Sequence, residues 1–370
     1  MTIGKSTLFG SIASLVQIGT RMIMVPLVIA YLGVEGYGIW AVIMAITAYM
    51  RFGIAGVKSA FQKYVAEATG TGDFNHASRL VSTGGAMILA ISIIALLPMA
   101  IFSHSFPEIM GVPKRFLDST GSSISILALT MIISNVGCVY EAIIMGGHRI
   151  DIVRKFNILF LAGEFFAILV LLKSGHGLFA MAAVMAISEI GRLVCCYLFS
   201  ERVLPQMHIG PSNFSWSLLS ELLRFAGTYQ LVNILEVISL GILPVAILKL
   251  FGANAAGIYA ICERLVTAGL VFQEALLLPL LSGGSMIYGL RTHDSMRILL
   301  AKSLKTTLTL AIPPLSLLAV FGATIVLAWT GQSNELINVT LWFVCLAGLF
   351  RSIGRVNFIF YRTTGGIYDG

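Results

Sequence analysis

Charge is what this sequence has least of. Aspartate and glutamate together number 17 and lysine and arginine 24 in 370 residues, so only 11% of the chain is charged. A soluble domain carries about 25% charged residues, and a chain this poor in them lacks the means to cover a water-facing surface. Cysteine is also sparse. The five (Cys138, Cys195, Cys196, Cys262, Cys345) all fall inside apolar runs, and none has metal-ligand spacing. That pattern excludes a disulfide scaffold and suits small apolar residues on helices. No HExxH, GxSxG or phosphate-binding glycine loop occurs, and the six histidines lie far apart in loops. The sequence therefore predicts no metal, no cofactor and no enzyme. No outward-facing acid pair of the kind a lipid-sugar glycosyltransferase needs is evident, and the large outer loop usual in a polysaccharide polymerase is absent. No basic patch interleaved with aromatics points to nucleic acid.

What is abundant is apolar sequence. Apolar residues make up 57% of the chain and mean hydropathy is +0.92. Ten apolar runs follow one another, at 8–32, 37–66, 80–103, 122–146, 157–172, 178–199, 227–250, 255–287, 298–329 and 336–361. Most reach the ~20 residues that span a bilayer core as a helix. The alternating ten-residue strands of a membrane barrel are absent. The reading is an all-α polytopic membrane protein of about ten transmembrane helices. The first run lacks a small-residue cleavage site after it, so it reads as a span and not a signal peptide.

Basic residues set the orientation. With the N-terminus cytoplasmic, the inner loops and helix ends hold Lys5, Lys63, Arg79, Arg149, Arg154, Lys155, Arg202, Arg224, Arg291, Arg297, Lys302, Lys305 and Arg362. The outer loops then hold only Lys114, Arg115, Lys173 and Lys249. The excess of inner cations predicts an N-in topology.

The chain repeats itself. Leu32-Gly-Val-Glu-Gly-Tyr-Gly-Ile-Trp-Ala-Val42 returns, altered, as Phe251-Gly-Ala-Asn-Ala-Ala-Gly-Ile-Tyr-Ala-Ile261, with Gly33, Gly38, Ile39 and Ala41 falling on Gly252, Gly257, Ile258 and Ala260. Each copy ends one apolar run and opens the next. The polar stretch 72–80 is matched by 290–298, and Gly137-Cys-Val139 by Gly354-Arg-Val356. Six spans separate the copies, so the repeats are parallel, the architecture of a two-lobed transporter. The expected organisation is an N-lobe over 1–202 with spans one to six, a cytoplasmic linker over 203–223 with an interfacial helix near 216–223, and a C-lobe over 224–370 with spans seven to ten. Spans five and six have no counterpart in the second copy. A natural short lobe and a truncation before two further helices both explain this, and truncation is the favoured expectation.

Within the spans, ionisable groups are the main functional signal. Each costs ~2.5–3.5 kcal/mol to place at the bilayer centre, so each is expected to face a cavity or a partner. The first copy has Arg21, Arg51 and Lys58, the last two sharing a helix face. The second has Arg264, Arg351 and Arg355. Cations from both copies suit a polyanion, and a polyprenyl diphosphate headgroup is the obvious polyanion in a membrane. Arg21, Arg51, Lys58, Arg264 and Arg355 are the candidate substrate-binding residues. Pairing within a lobe is the competing use, and Lys58 sits close enough to the inner end of its span to reach water. Glu236, Glu164 and Glu141 are candidate ion-coupling acids, with structural ion pairs as the alternative. Glu189 stands three residues before Arg192, a spacing that suits an intrahelical pair. Pro26 and Pro244 recur at nearly equivalent positions in the two copies and are candidate hinges, or static kinks.

Tyr31-Leu-Gly-Val-Glu-Gly-Tyr-Gly-Ile-Trp40 closely resembles the corner between the first two helices of O-antigen and capsule flippases, of the multidrug/oligosaccharidyl-lipid/polysaccharide (MOP) exporter superfamily. Gly147-His-Arg-Ile-Asp-Ile-Val-Arg154 is similar to that family's basic loop after helix four, and Phe225-Ala-Gly-Thr-Tyr-Gln to the start of its helix seven. The resemblance implies a MATE/MOP-like fold of two lobes around a cavity, and the flipping of a polyprenyl-diphosphate-linked oligosaccharide for lipopolysaccharide, capsule or exopolysaccharide. It implies membrane lipids, a polysaccharide polymerase and a chain-length regulator as partners. In related flippases arginines on helices one, two and eight hold the phosphates, and Arg21, Arg51 and Arg264 resemble those positions. The alternatives are a MATE-like drug/cation antiporter, a membrane-embedded polymerase or acyltransferase, and a non-transporting scaffold. The antiporter is disfavoured because before Lys58 the only acid is Glu35, at the corner.

Overall fold

The computed structural model describes residues 3–50, 55–271, 273 and 293–363, and among them every regular element is helical. In chain order these are α1 (Ile3–Met50), α2 (Ala55–Thr71), α3 (Phe74–Ile101), the short α4 (Ser105–Ile109), α5 (Leu117–Gly146), α6 (Ile150–Lys173), α7 (Leu178–Val203), α8 (Trp216–Gly269), α9 (His293–Thr330) and α10 (Glu335–Thr363). Eight stretches of the described residues are long and apolar enough to cross a membrane. The ten runs of the sequence map onto them because α1 and α8 each carry parts of two runs. In both helices the backbone leaves helical geometry at a glycine of the repeated corner. Gly33 has φ 72° and ψ 174°, and Gly252 has φ 84° and ψ 174°. That region is essentially closed to residues with a Cβ. Pro26 and Pro244 lie inside helical stretches of α1 and α8, half-buried, several residues before these breaks.

The chain forms two compact units, Met1–Gly257 and Ile258–Gly370. In the first, α5 is the central helix, packed against α7, α3 and α2. Phe61, Val65, Leu80, Val81, Val139, Ala142 and Ile143 bury a shared core. Small residues set how closely these helices approach. A Cβ at Gly146 would stand 2.6 Å from Val65 Cβ, and one at Gly137 would stand 3.0 Å from Leu193 Cδ1. In hydrocarbon, where burial of apolar surface gives little drive, such close van der Waals packing is what joins helices. Gly38 of the first corner and Gly257 of the second both lie in the first unit, and they meet reciprocally. A Cβ at Gly38 would stand 2.9 Å from Gly257 Cα, and one at Gly257 would stand 2.7 Å from Val34 Cγ1. Apolar side chains cover the outer helix faces: Ile94 is 75% and Ile187 71% exposed. A monomer in water does not carry such faces at this density, whereas lipid covers them at no cost.

The expected linker is a docked strap. After α7, residues 204–215 run along the first turns of α3, whose hydroxyls accept backbone N–H groups: His208 to Ser78 (3.2 Å), Gly210 to Ser82 (3.2 Å) and Ser215 to Thr83 (3.0 Å). Leu204 and Met207 complete the core beneath it. An irregular segment must place its N–H groups somewhere, and this one places three of them on a serine/threonine stripe. Asp73 caps α3 by accepting from the His76 N–H at 3.1 Å. Helix α8 then starts at Trp216, an exposed ring suited to a membrane interface.

In the second unit, α9 and α10 pack on one another. Gly322 lies against Leu341, and Gly348 against Val266 of α8.

Candidate functional site

Charges inside apolar helices need partners, and the first unit gathers four of them. Glu141 on α5 is buried and accepts from two cations, Arg192 Nη1 on Oε1 at 2.6 Å and Lys58 Nζ on Oε2. Arg192 also pairs with Glu189, one turn earlier on α7. Ser134 of α5 donates to Glu189 Oε2 at 2.7 Å. Two carboxylates and two cations from α2, α5 and α7 thus form a neutral network. Fractional side-chain exposure runs from 9% at Glu141 through 15% at Glu189 and 21% at Arg192 to 33% at Lys58. Asn135, nearly two turns before Glu141 on α5, donates to Met50 O and Ser92 Oγ, each at 3.0 Å, and ties α5 to α1 and α3.

The second unit has a smaller counterpart. Arg351 Nη1 of α10 donates to Glu263 Oε1 of α8 at 2.7 Å, and Thr267 Oγ1 donates to the same oxygen at 3.3 Å. Ser352 donates to Gln273 Oε1 at 2.9 Å. Arg264, next to Glu263 in sequence, is half-buried and has no ion-pair partner among the described residues. A groove between α9 and α10, lined by Ile312, Ala319, Trp342 and Leu346 among others, holds no charged side chain and offers nothing to a charged ligand.

The remaining candidates are scattered. Arg21 is exposed on α1, Glu164 half-buried on α6 and Arg355 half-buried on α10, and each is engaged in an interaction. Arg51 and the side chain of Glu236 lie outside the described residues. Glu35, at the corner, pairs with Arg115 on an exposed rim. Asp151, in the first turn of α6, pairs with Arg149 (3.3 Å) and Lys155 (4.0 Å) within the basic loop. The structure therefore brings Lys58 and Glu141 together, although the sequence assigns them different roles. It makes Arg192, read only as the partner of Glu189, the centre of the network. The signal for that was present: Arg192 is the one cation in the middle of α7. All five cysteines are unpaired, and no cluster of three or more metal-ligating side chains occurs among the described residues.

Residues 29–335 match the family model described as polysaccharide biosynthesis protein. The chain belongs to the polysaccharide biosynthesis protein family. Its fold is that of MOP-superfamily transporters. An inward-facing multidrug resistance MATE family transporter of that superfamily superposes with a TM-score of 0.71 at 14% identity, covering 94% of this chain and 84% of the other. A MATE P26A mutant gives 0.63 at 16%, covering 97% and 82%. A MOP superfamily transporter from Pyrococcus furiosus, whose structure was reported as having a binding pocket of reversed polarity, gives 0.57 at 16%, covering 94% and 84%. No curated protein matches the sequence. This family member is thus a multi-pass membrane protein on a transporter scaffold.

Proposed function

We propose that this polysaccharide biosynthesis protein is a flippase that moves a polyprenyl-diphosphate-linked oligosaccharide across the cytoplasmic membrane by alternating access, with its N-terminus inside the cell. The observation that carries the reading is intramembrane cationic charge on a transporter scaffold in a polysaccharide biosynthesis family. Arg264 in the second unit has no ion-pair partner among the described residues, while Lys58 and Arg192 in the first and Arg351 in the second share theirs with carboxylates. Cations in low dielectric grip phosphate oxygens more strongly than they do in water, and arginine does so bidentately. The lipid tail stays in the bilayer while headgroup and glycan cross. A polymerase and a chain-length regulator are the expected partners on the far side.

A second reading, a drug/cation antiporter, is favoured by the names of the structural neighbours. It needs acids free to take a cation, and among the described residues Glu141, Glu189 and Glu263 are each held by arginine. Proteoliposomes loaded with a fluorescent lipid-diphosphate-linked oligosaccharide separate the two. Translocation of that lipid supports the flippase, whereas ethidium efflux without lipid movement supports the antiporter. Glycan elongation or acyl transfer by the purified protein is the outcome that makes it an enzyme.

A further inference from the structure

The four-charge network of the first unit is unevenly tied, and the unevenness has a use. Arg192 has two carboxylate partners, and Glu141 divides its oxygens between two cations, Oε1 to Arg192 and Oε2 to Lys58. Glu189 has Arg192 and the Ser134 hydroxyl. Among the described residues Lys58 has one ion-pair partner, and its side chain is the most open of the four at 33% exposed. Loss of Arg192 strands two buried carboxylates, but departure of Lys58 leaves Glu141 still held at 2.6 Å by Arg192. Lys58 is the member that can leave at least cost.

We propose that Lys58 is an exchangeable cation. With the site empty, Glu141 is its counter-ion. When a phosphate or diphosphate ester arrives, the ammonium turns to it and Glu141 stays on Arg192. This rests on the flippase reading and deepens it: an acid of the protein competes with the substrate's own anion for one lysine. The residue types fit the roles. Lysine carries a compact charge on a flexible stem, whereas arginine's planar fork suits the fixed bridge between two carboxylates. After the exchange Glu141 and Glu189 share Arg192, so each carboxylate still has an ion-pair partner, which matters where an unpaired ion is expensive. The competing acid also weakens the grip on substrate. A carrier that must release its cargo on the far side needs binding that is favourable but not deep.

The test is a binding titration in nanodiscs with undecaprenyl diphosphate as ligand, undecaprenol as the uncharged control and inorganic pyrophosphate as the lipid-free arm. Glu141→Gln frees Lys58, so the diphosphate lipid binds about five- to tenfold tighter, the scale of one partly buried ion pair. Lys58→Gln binds more weakly than wild type, and adding Glu141→Gln to it gives no tightening. Unchanged or weaker binding by a folded Glu141→Gln variant overturns the exchange, as does tightening that persists without Lys58. A second readout needs no change at Glu141. Infrared difference spectra of the wild type on adding the lipid show a displaced carboxylate band that Lys58→Gln lacks, and an undisplaced band overturns the exchange. If wild type binds the diphosphate lipid no better than undecaprenol, the flippase reading fails and the exchange with it. If pyrophosphate alone binds as tightly as the lipid, a lipid headgroup is overturned as the natural occupant.

Discussion

Gly33 and Gly252 stand 219 residues apart and adopt the same backbone conformation, φ 72° and ψ 174° against φ 84° and ψ 174°. Each breaks a helix at the same place in a repeated motif. The duplication is thus carried in the backbone, at a step whose conformation is essentially closed to residues with a Cβ. Gly33→Ala and Gly252→Ala should each destabilise by about 1–3 kcal/mol. Gly19→Ala, inside helical α1 with open space around its Cα, should be neutral or mildly stabilising. Thermal unfolding in detergent checks all three, and equal midpoints for Gly33→Ala and Gly19→Ala would remove the argument.

Arg192 should matter more to stability than any other charge in the first unit. It is the shared partner of Glu141 and Glu189. Stranding buried carboxylates costs about 3–5 kcal/mol, so Arg192→Gln should lower the unfolding midpoint far more than Lys58→Gln. Adding Glu189→Gln should recover part of the loss by removing one of the stranded carboxylates. The comparison of the three midpoints decides it.

Glu263 and Arg351 should be energetically coupled. A double-mutant cycle with Glu263→Gln and Arg351→Gln should return a coupling of about 0.5–3 kcal/mol, because the two side chains are in direct contact at 2.7 Å. Strict additivity of the two single changes is the contrary result.

The strap over 204–215 depends on three hydroxyls. Ser78→Ala, Ser82→Ala and Thr83→Val each remove an acceptor for a backbone N–H, at about 0.5–1.5 kcal/mol each. In hydrogen exchange, His208, Gly210 and Ser215 should lose protection in the triple variant. Protection unchanged from wild type would mean that packing of Leu204 and Met207 alone holds the strap.

Part of this was legible in the residues. The apolar runs revealed the spans, and the corner revealed the repeat, because a glycine-only conformation leaves a mark that sequence drift does not erase. The Glu189–Arg192 pair was legible because it lies within one helix, where spacing sets contact. The bridge from Glu141 to Lys58 and Arg192 was not. Its partners are 83 and 51 residues away, and which helix faces meet depends on small residues such as Gly137 and Gly146 permitting close approach. The strap read as a plain linker because its bonds run from backbone N–H groups to hydroxyls, which no pattern of side-chain polarity announces.

The central claim is that a lipid diphosphate crosses the membrane on this scaffold. Purified protein in proteoliposomes, supplied with a fluorescent undecaprenyl-diphosphate-linked oligosaccharide on one leaflet, tests it by the accessibility of the glycan to an added glycosidase on the other. Time-dependent cleavage that needs the protein and slows in Lys58→Gln is the predicted result. Cleavage no faster than in protein-free liposomes, with the protein folded and inserted, would contradict it.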